Sequence, residues 1–184
     1  MIKPKFALRW RDRLVGRRDI EAYRRLGTTI GKGTYVGGDV IIDPMACWLV
    51  TIGENCRIAP RVYILAHDSS MKTHLGYTRL EPTVIGDRVF IGANAIVMCG
   101  LTVGSDVIIG AGSVVTQNVA DGMVVAGNPA RVITTTEEYL ARERMRIAGA
   151  PVFDDQAWIV PEEVAVQDKA TVVSAMTEGL AYIR

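Results

Sequence analysis

Aliphatic residues recur along this chain with a period of six. Ile85, Ile91, Val97, Val103, Ile109 and Val115 fall at every sixth position without a slip, and Ile30, Val36, Ile42 and then Ile52, Ile58, Ile64 keep the same beat. An α-helix repeats about every 3.6 residues and does not give that spacing. The residue after each aliphatic is commonly small: Gly31, Gly37, Gly53, Ala59, Gly86, Gly92, Gly104 and Gly110. Four residues after each stands a second small or apolar side chain, as at Thr34, Val40, Cys56, Val62, Val89, Ala95, Leu101, Val107 and Ser113. In extended backbone, positions i, i+4 and i+6 share a side. A hexamer therefore points its first and fifth side chains inward and bends at its end, where glycine or asparagine tolerates unusual φ and ψ. Three hexamers close a triangular turn of 18 residues that stacks Ile85 over Val103, Ile91 over Ile109 and Val97 over Val115. The pattern predicts an all-β chain wound as a parallel β-helix of hexapeptide repeats. A β-sandwich would space its strands irregularly, at roughly 8–12 residues, and a dozen in-phase positions argue against it. Spacing alone does not set the hand of the coil.

Two interruptions break the beat. From Ile42 to Ile52 the step is ten residues, so a small bulge with Cys47 and Trp48 leaves the coil; from Ile64 to Ile85 it is 21, so a loop leaves after about residue 66 and returns near Pro82. Solenoids carry such insertions on one face, often the binding face. At the ends, Asp19 to Leu26 before Gly27 reads as a short helix, and Thr136 to Ile147 before Gly149 and Pro151 as a second, with Thr136 as N-cap and Glu137 and Glu138 in its first turn. The expected organisation is a basic arm and short helix over 1–27, the β-helix over 28–135 with its loop at 66–83, and a C-terminal helix and tail over 136–184; residues 152–184 carry no pattern.

With 184 residues, 49% of them hydrophobic, the chain suffices for one sizeable core. A formal charge of +1 gives no electrostatic argument for a nucleic acid, membrane or polyanion partner. Locally, residues 1–25 hold nine bases against three acids, a cluster that suits a phosphate, an anionic surface or simply a solvated arm. Cys47, Cys56 and Cys99 are odd in number and lack metal-type spacing, which fits packing residues in a reducing compartment. No apolar run reaches the roughly 18 residues of a spanning helix. These features predict a soluble cytoplasmic protein.

Only two side chains, His67 and His74, are histidines, the residue type best suited to accept a proton near neutral pH. His67 directly follows the hexamer at Ile64, so a rigid element fixes it; His74 lies seven residues further into the loop. The stretches IGENCRIAPRVYILAHDSS, TVIGDRVFIGANAIVMCGLTVGSDVIIGAGSVVTQNV and VVAGNPARVI closely resemble the hexapeptide-repeat sugar O-acetyltransferases, the maltose, galactoside and nodulation-factor group, over roughly residues 28–135. The resemblance implies a left-handed β-helix, a homotrimer with active sites in clefts between neighbouring prisms, acetyl-CoA as co-substrate, no metal, a saccharide-like acceptor, and His67 as general base in direct transfer. It also matches Ala93, Ala111, Thr116 and Gln117 to the family's pantetheine and nucleotide contacts, with Gln117 standing where many relatives have lysine, and Arg131 to an arginine near the nucleotide end. Gly92, Ala93, Gly110 and Ala111 supply small walls for the pantetheine arm at positions 18 residues apart, or else only permit tight coils.

On the acceptor side, sugar-binding relatives carry a carboxylate in the coil before the histidine, where this chain reads Met45-Ala46-Cys47-Trp48. Trp48 is placed to stack on a sugar ring or to cover the bulge. Asp68 is placed to orient an imidazole or an acceptor, as against standing as a solvated loop acid, and His74 is an acceptor-side candidate. Alternatives stay open: N-acetyl transfer to an amino sugar, an antibiotic acetyltransferase, and a non-catalytic trimeric scaffold that would not bind acetyl-CoA saturably. A zinc lyase of the γ-carbonic anhydrase type needs three histidines around each metal, and this chain has two.

Overall fold

A computed structural model describes residues 20–153, 166–176 and 179–183. Residues 1–19, with seven of the nine bases of the N-terminal arm, lie outside the described residues.

The repeat becomes successive turns of three short strands. The first is β1 (Thr29–Ile30), β2 (Tyr35–Val36) and β3 (Ile41–Ile42), and the second is β4 (Val50–Ile52), β5 (Arg57–Ile58) and β6 (Tyr63–Ile64). A loop follows, with β7 (His67–Asp68) and β8 (Arg79–Leu80). The third turn is β9 (Thr83–Ile85), β10 (Phe90–Ile91) and β11 (Ile96–Val97), and the fourth is β12 (Thr102–Val103), β13 (Ile108–Ile109) and β14 (Val114–Val115). The hairpin β15 (Met123–Gly127) and β16 (Ala130–Thr135) closes the series. Strands one turn apart pair in parallel and make three sheets: a first of β1-β4-β9-β12, a second of β2-β5-β10-β13-β15-β16, and a third of β3-β6-β11-β14. The register is that of the aliphatic beat, with Ile85 on Val103, Ile91 on Ile109 and Val97 on Val115. Inward residues fill the interior; Ile42, Ile52, Ile58, Ile64, Ile85, Ile91 and Ile109 are all fully buried.

The backbone bends at three edges. On the first, between the first and second sheets, turns approach too closely for side chains. A Cβ on Gly31 would lie 2.5 Å from the Gly53 carbonyl carbon, one on Gly53 2.6 Å from that of Gly86, and one on Gly86 2.8 Å from that of Gly104. Gly53→Ala must therefore push two turns apart, and a loss of about 1–3 kcal/mol is expected in urea unfolding. The second edge, between the second and third sheets, bends through left-handed residues Asp39, Arg61, Asn94 and Gly112 at φ 55°, 60°, 59° and 69°. The last three bond back to the turn below: Arg61 N–H to Gly38 O at 2.9 Å, Asn94 to Pro60 at 3.1 Å, Gly112 to Ala93 at 2.8 Å.

At the N-terminal end the helix α1 (Ile20–Arg25) brings buried Tyr23 over the first turn. Its hydroxyl donates to Val40 O at 3.1 Å and accepts from Ile42 N–H at 3.3 Å. The described chain divides after Thr136. Beyond the division lie most of a second helix (Thr136–Ala148), a third (Val166–Ala175) and a two-stranded parallel pair (Val152–Phe153 with Tyr182–Ile183); within this unit the Tyr182 hydroxyl donates to Glu143 at 2.9 Å. No described helix is long and apolar enough to cross a membrane.

Candidate active site

Both departures from the six-residue beat fall on the third edge, between the third and first sheets. After β3 the chain runs through Asp43 and a 3₁₀ turn (Cys47–Leu49) before β4; after β6 it runs through the whole loop before β9. His67 leaves the prism on the second of these departures and Asp43 begins the first, one turn below.

Asp43 is fully buried, and its two oxygens gather five donors. Oδ1 accepts the N–H of Met45 at 2.9 Å and of Ala46 at 2.8 Å, and Oδ2 accepts the N–H of Ala66 at 2.6 Å and of His67 at 2.8 Å. The fifth donor is His67 Nδ1, 2.6 Å from Oδ2 and 2.8 Å from Oδ1. Burial pushes the Asp43 carboxyl up, but the N–H bonds of Ala66 and Ala46, the His67 ring and Met45 together outweigh it and hold it below the usual carboxylate range. A carboxylate only accepts, so Nδ1 carries the ring proton and Nε2 presents a lone pair. The His67 side chain is 22% exposed, so the ring is held on one side and reachable on the other.

The loop is braced by its own hairpin. β7 and β8 pair antiparallel, His67 against Leu80 and Asp68 against Arg79. Arg79 donates to Asp68 at 3.0 Å, pairs with Glu81 at 3.3 Å and lies 3.8 Å from Cys99 Sγ. Asp68 also accepts the N–H of Ser70 at 2.8 Å. The imidazole is thus oriented by Asp43 and not by Asp68, whose carboxylate is taken up by Ser70 and Arg79. Burial pushes the Cys99 thiol up against the pull of Arg79, so it stays protonated and is a poor nucleophile.

The remaining candidates separate by edge. Trp48, 56% exposed on the 3₁₀ turn, lies on the third edge with His67, as do Thr116 and Gln117, both exposed, which follow β14 two turns above. At about 4.8 Å per turn, that is roughly 10 Å along the prism. Ala93 and Ala111 follow β10 and β13 and lie on the second edge, and exposed Arg131 is on β16 beyond them. Gly92 is buried; a Cβ there would come within 2.7 Å of Ala111 Cα, so the next turn of the coil by itself requires a glycine here. Gly110 is likewise crowded, its Cβ position 2.9 Å from Ala126 Cβ. His74, in a four-residue helix (Lys72–Leu75), is exposed and is not one of the groups bonded to Asp43. The expectation that the stretch before the histidine lacks a carboxylate holds for Met45–Trp48, yet Asp43 stands two residues earlier and reaches the ring because its turn bends there.

Residues 82–117 match the family model described as the hexapeptide repeat of succinyl-transferase. Over these residues the chain carries the hexapeptide repeat, and it is similar to acetyltransferases that contain it. Over 113 residues it is 35% identical to the Bacillus subtilis protein YvoF, covering 61% of this chain and 63% of that one. Over 108 residues it is 36% identical to the galactoside O-acetyltransferase of Escherichia coli, covering 56% and 52%. A Vibrio cholerae hexapeptide-repeat acetyltransferase, solved with acetyl coenzyme A, superposes with a TM-score of 0.54 at 29% identity, over 59% of this chain and 60% of that one. The chain spans 63% and 52% of the lengths of the two curated relatives. Likeness to hexapeptide-repeat acetyltransferase structures implies the left hand of the coil, which strand pairing by itself does not fix.

Proposed function

We propose that the chain is an acetyl-CoA-dependent O-acetyltransferase acting on a saccharide hydroxyl, with residues 28–135 as its acyltransferase domain. The observation that carries this reading is the buried Asp43 carboxylate holding His67 Nδ1, which leaves Nε2 free to act as a base at an open edge of the prism. Nε2 takes the proton of the acceptor hydroxyl as its oxygen attacks the thioester carbonyl. The tetrahedral intermediate then collapses, the C–S bond breaks, and the imidazolium returns the proton to the leaving thiolate. Transfer is direct.

The donor arm lies along Ala93 and Ala111, with Arg131 at the nucleotide phosphates and Thr116 and Gln117 completing the contact. Asp68, His74 and Trp48 face the acceptor from the loop and the bulge. Because Ala93 and Ala111 lie on the second edge and His67 on the third, one prism does not hold the whole set in one cleft. A second copy supplies the missing wall, which supports the homotrimer. The outer faces agree: the second sheet carries Tyr35, Phe90 and Ile108 beside Arg57, and the third Ile41, Tyr63 and Ile96, whereas the first carries Thr29, Thr51 and Thr102 beside Val84. Three unpaired thiols and a thioester donor suit the cytoplasm.

Thiol release from acetyl-CoA over a panel of neutral, amino and acidic sugars tests the reading. Acceptor-dependent release with hydroxyl sugars is expected. Release only with amino sugars makes this an N-acetyltransferase, and absence of saturable acetyl-CoA binding leaves a scaffold.

A further inference from the structure

Arg61 is in the left-handed region at φ 60°. That conformation suits glycine, asparagine and aspartate, and its column on the second edge otherwise holds Asp39, Asn94 and Gly112. A long side chain there costs stability, and persists where the surroundings or a function require it. Arg88 on the first edge shares the conformation, at φ 53°, and its guanidinium grips Asp106 with two bonds of 2.7 Å, which offsets the cost. Arg61 has no such return. Among the described residues its one side-chain hydrogen bond runs from Nε to Asn94 Oδ1 at 2.9 Å, leaving both terminal nitrogens of an exposed guanidinium without an acceptor.

Its position gives that guanidinium an occupation. Arg61 enters β6 and His67 follows the end of the same strand after two residues, so the two stand in one turn of the coil, at one height along the prism. Ala93 and Ala111 lie one and two turns above Arg61 on the same edge, at about 4.8 Å per turn. A donor arm laid down that edge from Arg131 ends, at its thioester, at the height of Arg61. The diphosphate lies at the other end. What a guanidinium meets there is the acceptor.

We propose that Arg61 binds the carboxylate or phosphate of an acidic saccharide acceptor, through the planar pair of N–H donors that its terminal nitrogens present. The inference rests on the acetyl-transfer reading above and names the acceptor class for it. Aimed at the height where the thioester is attacked, the cation selects acidic over neutral sugars.

Arg61→Asn separates this from a structural role, because asparagine suits the left-handed backbone. The full chain and the variant are compared by thermal melting, by calorimetric titration with coenzyme A, glucuronate, glucose 6-phosphate and glucose, and by acetyl transfer to the same sugars. The variant is expected to melt about 2 °C or more higher, to bind coenzyme A as the wild type does, and to lose at least about tenfold in affinity and kcat/KM for at least one acidic sugar, with glucose unchanged. A wild type that favours neither acidic sugar over glucose overturns the proposal, as does a variant that keeps the preference. A fall in coenzyme A affinity also overturns it, by giving Arg61 to the donor. Failure of acetyl transfer with every sugar, beside intact Arg61-dependent anion binding, would instead remove the transferase reading and keep the anion site.

Discussion

Asp43→Asn is expected to slow acetyl transfer by about 10²–10⁴ and to cost about 2–4 kcal/mol of stability. Four backbone N–H groups and the ring Nδ1 converge on two carboxylate oxygens. A carboxamide offers one oxygen and one NH2 group. Whichever way it turns, its NH2 meets two backbone N–H donors and leaves them buried without a partner. If the NH2 faces the ring, Nδ1 must accept, the ring proton moves to Nε2, and the base is lost. The pH dependence checks the same assignment. The folded Asp43 carboxyl titrates below its unfolded value, so the unfolded chain binds the extra proton in acid; the contribution is whole above the unfolded value near ~3.9 and is lost as pH falls through the folded one. The asparagine variant lacks this contribution, so its stability deficit should shrink in acid. Equal acid sensitivity of the two proteins in urea unfolding would falsify the assignment of Asp43 as the ionised partner.

His67→Ala is expected to lower acceptor-dependent thiol release by about 10²–10⁴ while leaving acetyl-CoA binding unchanged. In the proposed reaction the side chain acts through Nε2 on the acceptor's proton, a demand made in the transition state and not in binding the donor. The reduction should therefore fall on kcat. An unchanged kcat with a raised KM for acetyl-CoA would make His67 a binding contact and return the search for a base to His74. Stability should fall less than in Asp43→Asn, because the four backbone donors keep their carboxylate.

The register of the coil was readable in the chain because branched aliphatics at every sixth position leave one way to stack, and Ile85, Ile91 and Val97 pair as that stacking demands. The place of His67 followed from the same count, since it stands where the count fails. Asp43 escaped because it and His67 are 24 residues apart, where an uninterrupted coil would put neighbours 18 apart. The four extra residues of the first bulge, together with the two by which His67 stands further past Ile64 than Asp43 does past Ile42, hide the pairing. Its signal was nonetheless present: the position after an inward aliphatic is small at Gly31, Gly37, Gly53 and Ala59, and after Ile42 it is an aspartate. A charge there has to be buried, and a buried charge has to be matched. The division of the proposed donor contacts between two edges was less legible, because it depends on which corner each hexamer ends at. The glycine at 92 shows the opposite limit, where a residue type that suits a ligand groove is already required by the backbone of the next turn.

Tyr23 caps the third sheet at one end of the coil and β16 the second sheet at the other, by different means. A stack of parallel turns exposes at each end a row of N–H and C=O groups shaped to receive one more turn, and a second molecule presents a turn of the same shape. The Tyr23 hydroxyl occupies the Val40 carbonyl and the Ile42 amide at one end; at the other, β16 runs antiparallel to β15 and offers the wrong polarity for another parallel strand. The same repeat that makes the molecule rigid would, unclosed, be the template of a fibre. At each end one of the three ladders is thus closed to a further strand, the third sheet by Tyr23 and the second by β16, by features that belong to no repeat.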